Sequence, residues 1–149
     1  MPKPPILINI AAVLIILSGL MGGYAGWIDP TVFFAFMEGV DWADPNLQFL
    51  NGLWGTRNIG LVIVLTAGLV LQNAWVLWSG FLARTVIEIQ DMFILAPARL
   101  QLPETAPPTD PSLFDQFMAI FPLAVFAIEL IALVWLSVML FTRQGQAAL

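Results

Sequence analysis

The stretch "LARTVIEIQDM", residues 82–92, places Arg84, Glu88 and Asp91 inside a long apolar run. On a helix turning about 100° per residue, Glu88 lies about 40° to one side of Arg84 and Asp91 about 20° to the other. All three share one face, and Arg84 and Glu88, one turn apart, are spaced to pair. An ionisable group in hydrocarbon costs about 2.5–3.5 kcal/mol on insertion scales, so such groups turn inward and find partners. Three of them together are candidates for a polar binding site, for proton transfer between carboxyl groups, or for electrostatic clamping of helices. Two further stretches supply companions. "NGLWGTRNIG" holds Asn51, Arg57 and Asn58, with the two asparagines seven residues apart on one helical face. "FAIELIALV" holds Glu129 alone among apolar residues.

Composition defines the solvent that these residues must be shielded from. The chain has 149 residues, 60% of them hydrophobic and 10% charged. Its mean hydropathy is +0.90, well above a soluble domain of average composition. Six Trp and eleven Phe suit aromatic belts at two membrane interfaces. There is no Cys and no His, which removes disulfides, thiolate chemistry, the usual zinc sites and a histidine-ligated haem. The net charge of −5 offers no basic patch for nucleic acid.

Four segments reach the roughly 20 residues that a bilayer core of about 30 Å requires. They cover approximately residues 6–28, 49–71, 75–96 and 117–141, which makes 1–149 a single transmembrane domain. The first is longer than a signal-peptide core and reads as a retained helix. Only "QNA" separates the second and third, which predicts a tight antiparallel hairpin. The expected fold class is all-α, an integral membrane four-helix bundle. Lys3 and Arg143 flank the outermost helix ends, so the positive-inside rule places both termini in the cytoplasm.

Depth then sorts the charges. At 1.5 Å per residue from the outer boundary, Arg57 and Glu88 both lie about 12 Å down, and Arg84 and Glu129 both about 18 Å. Arg57 is expected to approach Glu88, and Arg84 to approach Glu129 or Glu88. Asn51, Arg57, Asn58, Arg84, Glu88, Asp91 and Glu129 form the expected polar cluster, either structural or ligand-binding. No nucleophile–base pair and no metal motif accompanies them, so none is assigned a catalytic or metal-binding role.

Small residues set the expected packing. Ser18, Gly19, Gly22, Gly23 and Gly26 recur at three- and four-residue spacings in the first segment, and Gly52, Thr56 and Gly60 in the second. Such stripes let helix backbones approach closely in lipid, which predicts contact between these two helices, with a homodimer seam as the alternative. Of the connections, "DPTVFFAFMEGVDWADPN" sets Phe33, Phe34 and Phe36 between two Asp-Pro turns, as a loop grazing the headgroups would. "LPETAPPTDP" reads as an extended polar linker.

The Arg57-Asn58 pair followed by Gly60, Arg84 followed seven residues later by Asp91, and the tight central hairpin together resemble the small DoxX-like membrane proteins and their uncharacterised relatives. The resemblance implies a four-helix bundle in a bacterial cytoplasmic membrane, serving in some members as an accessory subunit of redox or stress assemblies. It covers Arg57, Asn58, Arg84 and Asp91; Glu88 and Glu129 rest on facing and depth alone. Three functions follow in order of preference. The first is an accessory subunit with a membrane-protein partner or a second copy in the bilayer. The second is a binder or carrier of a small polar or amphipathic molecule. The third is a membrane enzyme acting on a lipid-soluble substrate.

Overall fold

The computed structural model describes residues 2–31, 41–101 and 113–147. The aromatic segment containing Phe33, Phe34 and Phe36 and the linker "LPETAPPTDP" lie outside these residues. Among the described residues the regular structure is helical: α1 (Ile6–Trp27), α2 (Pro45–Val70), α3 (Ala74–Gln101) and α4 (Leu113–Ala147). Three stretches are long and apolar enough to cross a membrane: Ile6–Trp27, Pro45–Val70 and Leu123–Thr142. α3, which carries Arg84, Glu88 and Asp91, is not one of them.

Helix ends depart from hydropathy where local chemistry overrides it. α2 begins four residues before position 49, because Asp44 caps it. The Asp44 carboxylate accepts from the Asn46 N–H at 2.7 Å, and Pro45 occupies the first turn, where its missing N–H has no partner to lose. α3 continues through Pro97 to Gln101 rather than ending at residue 96. α4 likewise runs through Pro122 and extends past both ends of 117–141. Membrane helices tolerate such prolines because neighbours re-satisfy the freed backbone groups.

The helices form two compact units, Met1–Gly80 and Phe81–Leu149. In the first, α1 packs along α2. The contact runs through glycine on both sides. A Cβ built on Gly26 would lie 2.5 Å from Gly55 Cα, and one on Gly22 would lie 3.0 Å from Asn58 Cγ. The expected pairing of α1 with α2 is present, but its face on α2 is not the expected one. Gly55, Asn58 and Ile59 meet α1, whereas nothing lies within 4 Å of a Cβ built on Gly52 or Gly60. Thr56 instead receives the Trp27 indole N–H at 3.2 Å, as does the Gly52 carbonyl. A single glycine is enough for the close approach: Gly55 lies directly against Gly26 and Trp27.

The same unit contains the tight turn between α2 and α3. The Asn73 N–H bonds to the Gly68 carbonyl and the Gln72 N–H to the Leu69 carbonyl, the two bonds of a Schellman cap. Gln72 sits at the left-handed position usually held by glycine, with φ 47°, and its Nε2 donates to the Leu69 carbonyl at 2.8 Å. Asn73 then caps α3 by accepting from the Trp75 N–H. Leu77 fills the notch at Gly68, and Leu65 the notch at Gly80.

In the second unit, Val125, Glu129, Ala132, Leu136 and Leu140 are the buried positions of α4, and Phe81, Arg84 and Thr85 those of α3. Both sets recur every three or four residues, as one helix face does. Among the described residues many outward positions are aliphatic or aromatic, including Leu17, Leu53, Ile63, Val86, Ile131 and Val138. An apolar outer surface with the few buried charges, Arg84 and Glu129, turned inward is what hydrocarbon selects.

Candidate functional site

The site is centred on Arg84, whose side chain is 5% exposed. Its position on the buried stripe of α3 points the guanidinium into the second unit. Nε donates to Glu129 Oε1 on α4, and Nη2 donates to Glu88 Oε1 at 2.9 Å, one turn along α3. Glu129 is fully buried, while the Glu88 side chain is 30% exposed. Arg84 therefore ties two carboxylates on two helices, one of them sealed from any solvent. An arginine suits this position because its fixed fork reaches two acceptors at once and stays charged in a buried setting.

Of the seven residues expected in the cluster, the second unit brings together Arg84, Glu88 and Glu129. Arg84 meets the carboxylate at its own depth, Glu129, as well as its neighbour one turn away. Asp91 is half-buried on the same helix. Asn51, Arg57 and Asn58 belong to the first unit. There Asn58 is buried and donates through Nδ2 to the Trp54 carbonyl at 3.0 Å, with its amide against Gly22. Its observed contacts are thus to α2 itself and to α1. Arg57 and Asn51 are half-buried.

One residue escaped the sequence reading. Thr85 is buried at 5% exposure beside Arg84, and its hydroxyl has no hydrogen-bond partner among the described residues. Its behaviour is unlike that of Thr56, Ser79, Ser137 and Thr142, each of which bonds back to the carbonyl four residues earlier, the usual arrangement for a hydroxyl on a helix. Glu129 Oε2 is likewise buried with no partner among the described residues. Thr85 follows Arg84 directly and lies one turn from Phe81, but nothing in its residue type marks a hydroxyl that the helix backbone leaves unmet.

Each unit also carries a shallow groove on its surface. One is lined by Leu130, Ile131, Val134 and Trp135 of α4. The other runs along the end of α2 from Val62 to Leu71. Both are almost wholly apolar. The described residues contain no group of three or more Asp, Glu, His or Cys side chains placed to hold a metal ion.

Fold and site together define a class: among the described residues, helical regular structure with three helices long and apolar enough to cross a membrane and a buried arginine bridging two carboxylates. Set against known proteins, the chain matches no family model, no curated protein and no solved structure.

Proposed function

We propose that this chain is a multi-pass subunit of a bacterial cytoplasmic membrane, related to the DoxX-like proteins and serving a larger membrane assembly as an accessory component. The observation that supports this reading is the use of Arg84. Its guanidinium is engaged by Glu88 and Glu129 of its own unit, an arrangement that pins lipid-embedded helices and leaves the apolar outer faces for recognition. Intramembrane charges that pair inside the protein fix helix positions, and breaking such a pair strands a charge. The test is purification of the tagged chain in mild detergent. A membrane protein held at constant stoichiometry through successive columns is the expected result. A chain that elutes alone in every detergent, from cells expressing it at native level, would overturn the reading.

In this proposal α3 crosses the membrane despite its four ionisable residues, Arg84, Glu88, Asp91 and, near its end, Arg99, giving four spans and both termini on the cytoplasmic side. α3 has 28 residues, about 42 Å of helix, which is ample for a bilayer core of about 30 Å. The span count is directly testable, because three spans put the termini on opposite sides and four put them on the same side. Reporter fusions after residue 149 and before residue 1 should both report cytoplasm. A periplasmic signal from one end would take α3 out of the membrane.

A second reading, binding of a small molecule at the Arg84 cluster, is favoured by one specific observation: the buried oxygens of Thr85 and Glu129 that no described residue satisfies. Buried polar groups are almost always hydrogen-bonded, and leaving one unmade costs about 1–3 kcal/mol.

A further inference from the structure

We propose that the Glu129 carboxylate and the Thr85 hydroxyl bind one monovalent cation within the second unit. The inference rests on the binding reading of the cluster and names its ligand class. Three observations carry it. Glu129 is fully buried, with Oε1 taken by Arg84 Nε and Oε2 without a protein donor among the described residues. Thr85, adjacent in sequence to Arg84, is buried and withholds its hydroxyl from the helix backbone, unlike the four hydroxyls that bond back. The three charged groups of the cluster, Arg84, Glu88 and Glu129, sum to a formal charge of −1.

These facts select the ligand. An anion is excluded because Arg84 already serves two carboxylates and the surplus charge is negative. The unsatisfied atoms are a carboxylate oxygen and a hydroxyl oxygen, hard donors of the kind that hold hard cations. The described residues offer no set of three acidic, His or Cys side chains, so a divalent or transition-metal ion lacks its usual ligands. One positive charge neutralises the cluster, and the proposal requires the two buried, unpartnered oxygens, Thr85 Oγ1 and Glu129 Oε2, to face the same ion.

The experiment uses the full chain in detergent at constant pH and ionic strength. Its thermal unfolding midpoint is followed as sodium, potassium or ammonium chloride replaces N-methyl-D-glucamine chloride. A cation that binds the folded state alone raises the midpoint in a saturable way. The expected result is a rise of several degrees with at least one small cation, absent with N-methyl-D-glucamine. Thr85→Val keeps the side-chain shape and the whole ion pair, so it should fold, and it should shift the half-saturating concentration upward by about tenfold or more, the equivalent of one lost contact of about 1.4 kcal/mol. Glu129→Gln should abolish the response. A midpoint that is the same in all four salts overturns the proposal, as does a rise that Thr85→Val leaves unchanged, which would mark a general salt effect. Mass spectrometry of the purified chain separates the two levels: a retained organic molecule with no cation response would keep the binding reading and remove the cation.

Discussion

Arg84→Gln is expected to be the most damaging single substitution in the charged cluster, lowering stability by about 3–5 kcal/mol, the usual penalty for stranding a buried charge. The glutamine keeps a hydrogen-bonding amide on a shorter side chain but removes the positive charge that both Glu129 and Glu88 face. Glu129 is fully buried, so its carboxylate has no solvent to turn to. The reverse substitution is milder by the same reasoning: Glu129→Gln leaves Arg84 with Glu88 at 2.9 Å, a neutral pair. Glu88→Gln should be milder still, because Glu88 is part exposed and Arg84 keeps its sealed partner. The double substitution Arg84→Gln with Glu129→Gln should recover part of the loss, with a coupling above about 1 kcal/mol, as close charge pairs show. Unfolding of the wild type, the singles and the double in one detergent measures it. Additive effects would mean that Arg84 and Glu129 do not act as a pair. If the cluster also holds a ligand, the double mutant folds but stays impaired in ligand retention, because neutrality alone does not rebuild a binding geometry.

The Arg84–Glu129 pairing shows how far hydropathy and helix geometry carry. Two numbers, the rise per residue and the position where each apolar segment begins, put Arg84 and Glu129 at one level, and the 100° turn put Glu88 beside Arg84. Those relations depend on regular helix geometry, which lipid enforces strongly. What sequence left open depended on tertiary choice. α2 carries one small-residue stripe, Gly52-Thr56-Gly60, and on a neighbouring face a single glycine, Gly55, in line with Asn51 and Ile59. The spacing rule points to the stripe, yet α1 meets the other face, with Trp27 and Gly26 against Gly55 and Gly22 against Asn58, a match that depends on the facing helix and not on spacing within α2. Helix ends behaved similarly. Counting apolar residues missed the Asp44-Pro45 start, where a cap rather than hydropathy sets the boundary, and stopped α3 at a proline that the helix passes through. Thr85 was hidden for a different reason. A threonine on a membrane helix ordinarily satisfies itself against its own backbone, so its type alone carries no signal; its unmet hydroxyl exists only in the folded unit.

The close approach at Gly26 leads to the second large effect. A Cβ added there would sit 2.5 Å from Gly55 Cα, 2.6 Å from the Asn51 carbonyl oxygen and 2.6 Å from Gly55 N. All three are backbone atoms of a continuous helix, so no side-chain rotation can relieve the clash. Gly26→Ala must therefore push α1 off α2 at this point, and the expected loss is at the upper end of the roughly 1–3 kcal/mol typical of overpacking. Gly26→Val should exceed it and should also break the Trp27 indole bonds to Gly52 and Thr56, which depend on the same spacing. Gly23→Ala should cost less, although its Cβ would collide with Ile59 Cδ1, because that atom ends a flexible side chain that can rotate away. Gly60→Ala meets nothing within 4 Å and should stay within about 0.5 kcal/mol of the wild type, as surface substitutions do, with helix propensity favouring the alanine. Unfolding of the four variants in detergent should rank them, from least to most stable, as Gly26→Val, Gly26→Ala, Gly23→Ala and Gly60→Ala. The ranking is specific to a seam through Gly55. Had α1 packed on the Gly52-Thr56-Gly60 stripe instead, Gly60→Ala would be the costly change and Gly55→Ala the silent one, so equal or reversed effects at residues 26 and 60 would remove this contact from the fold.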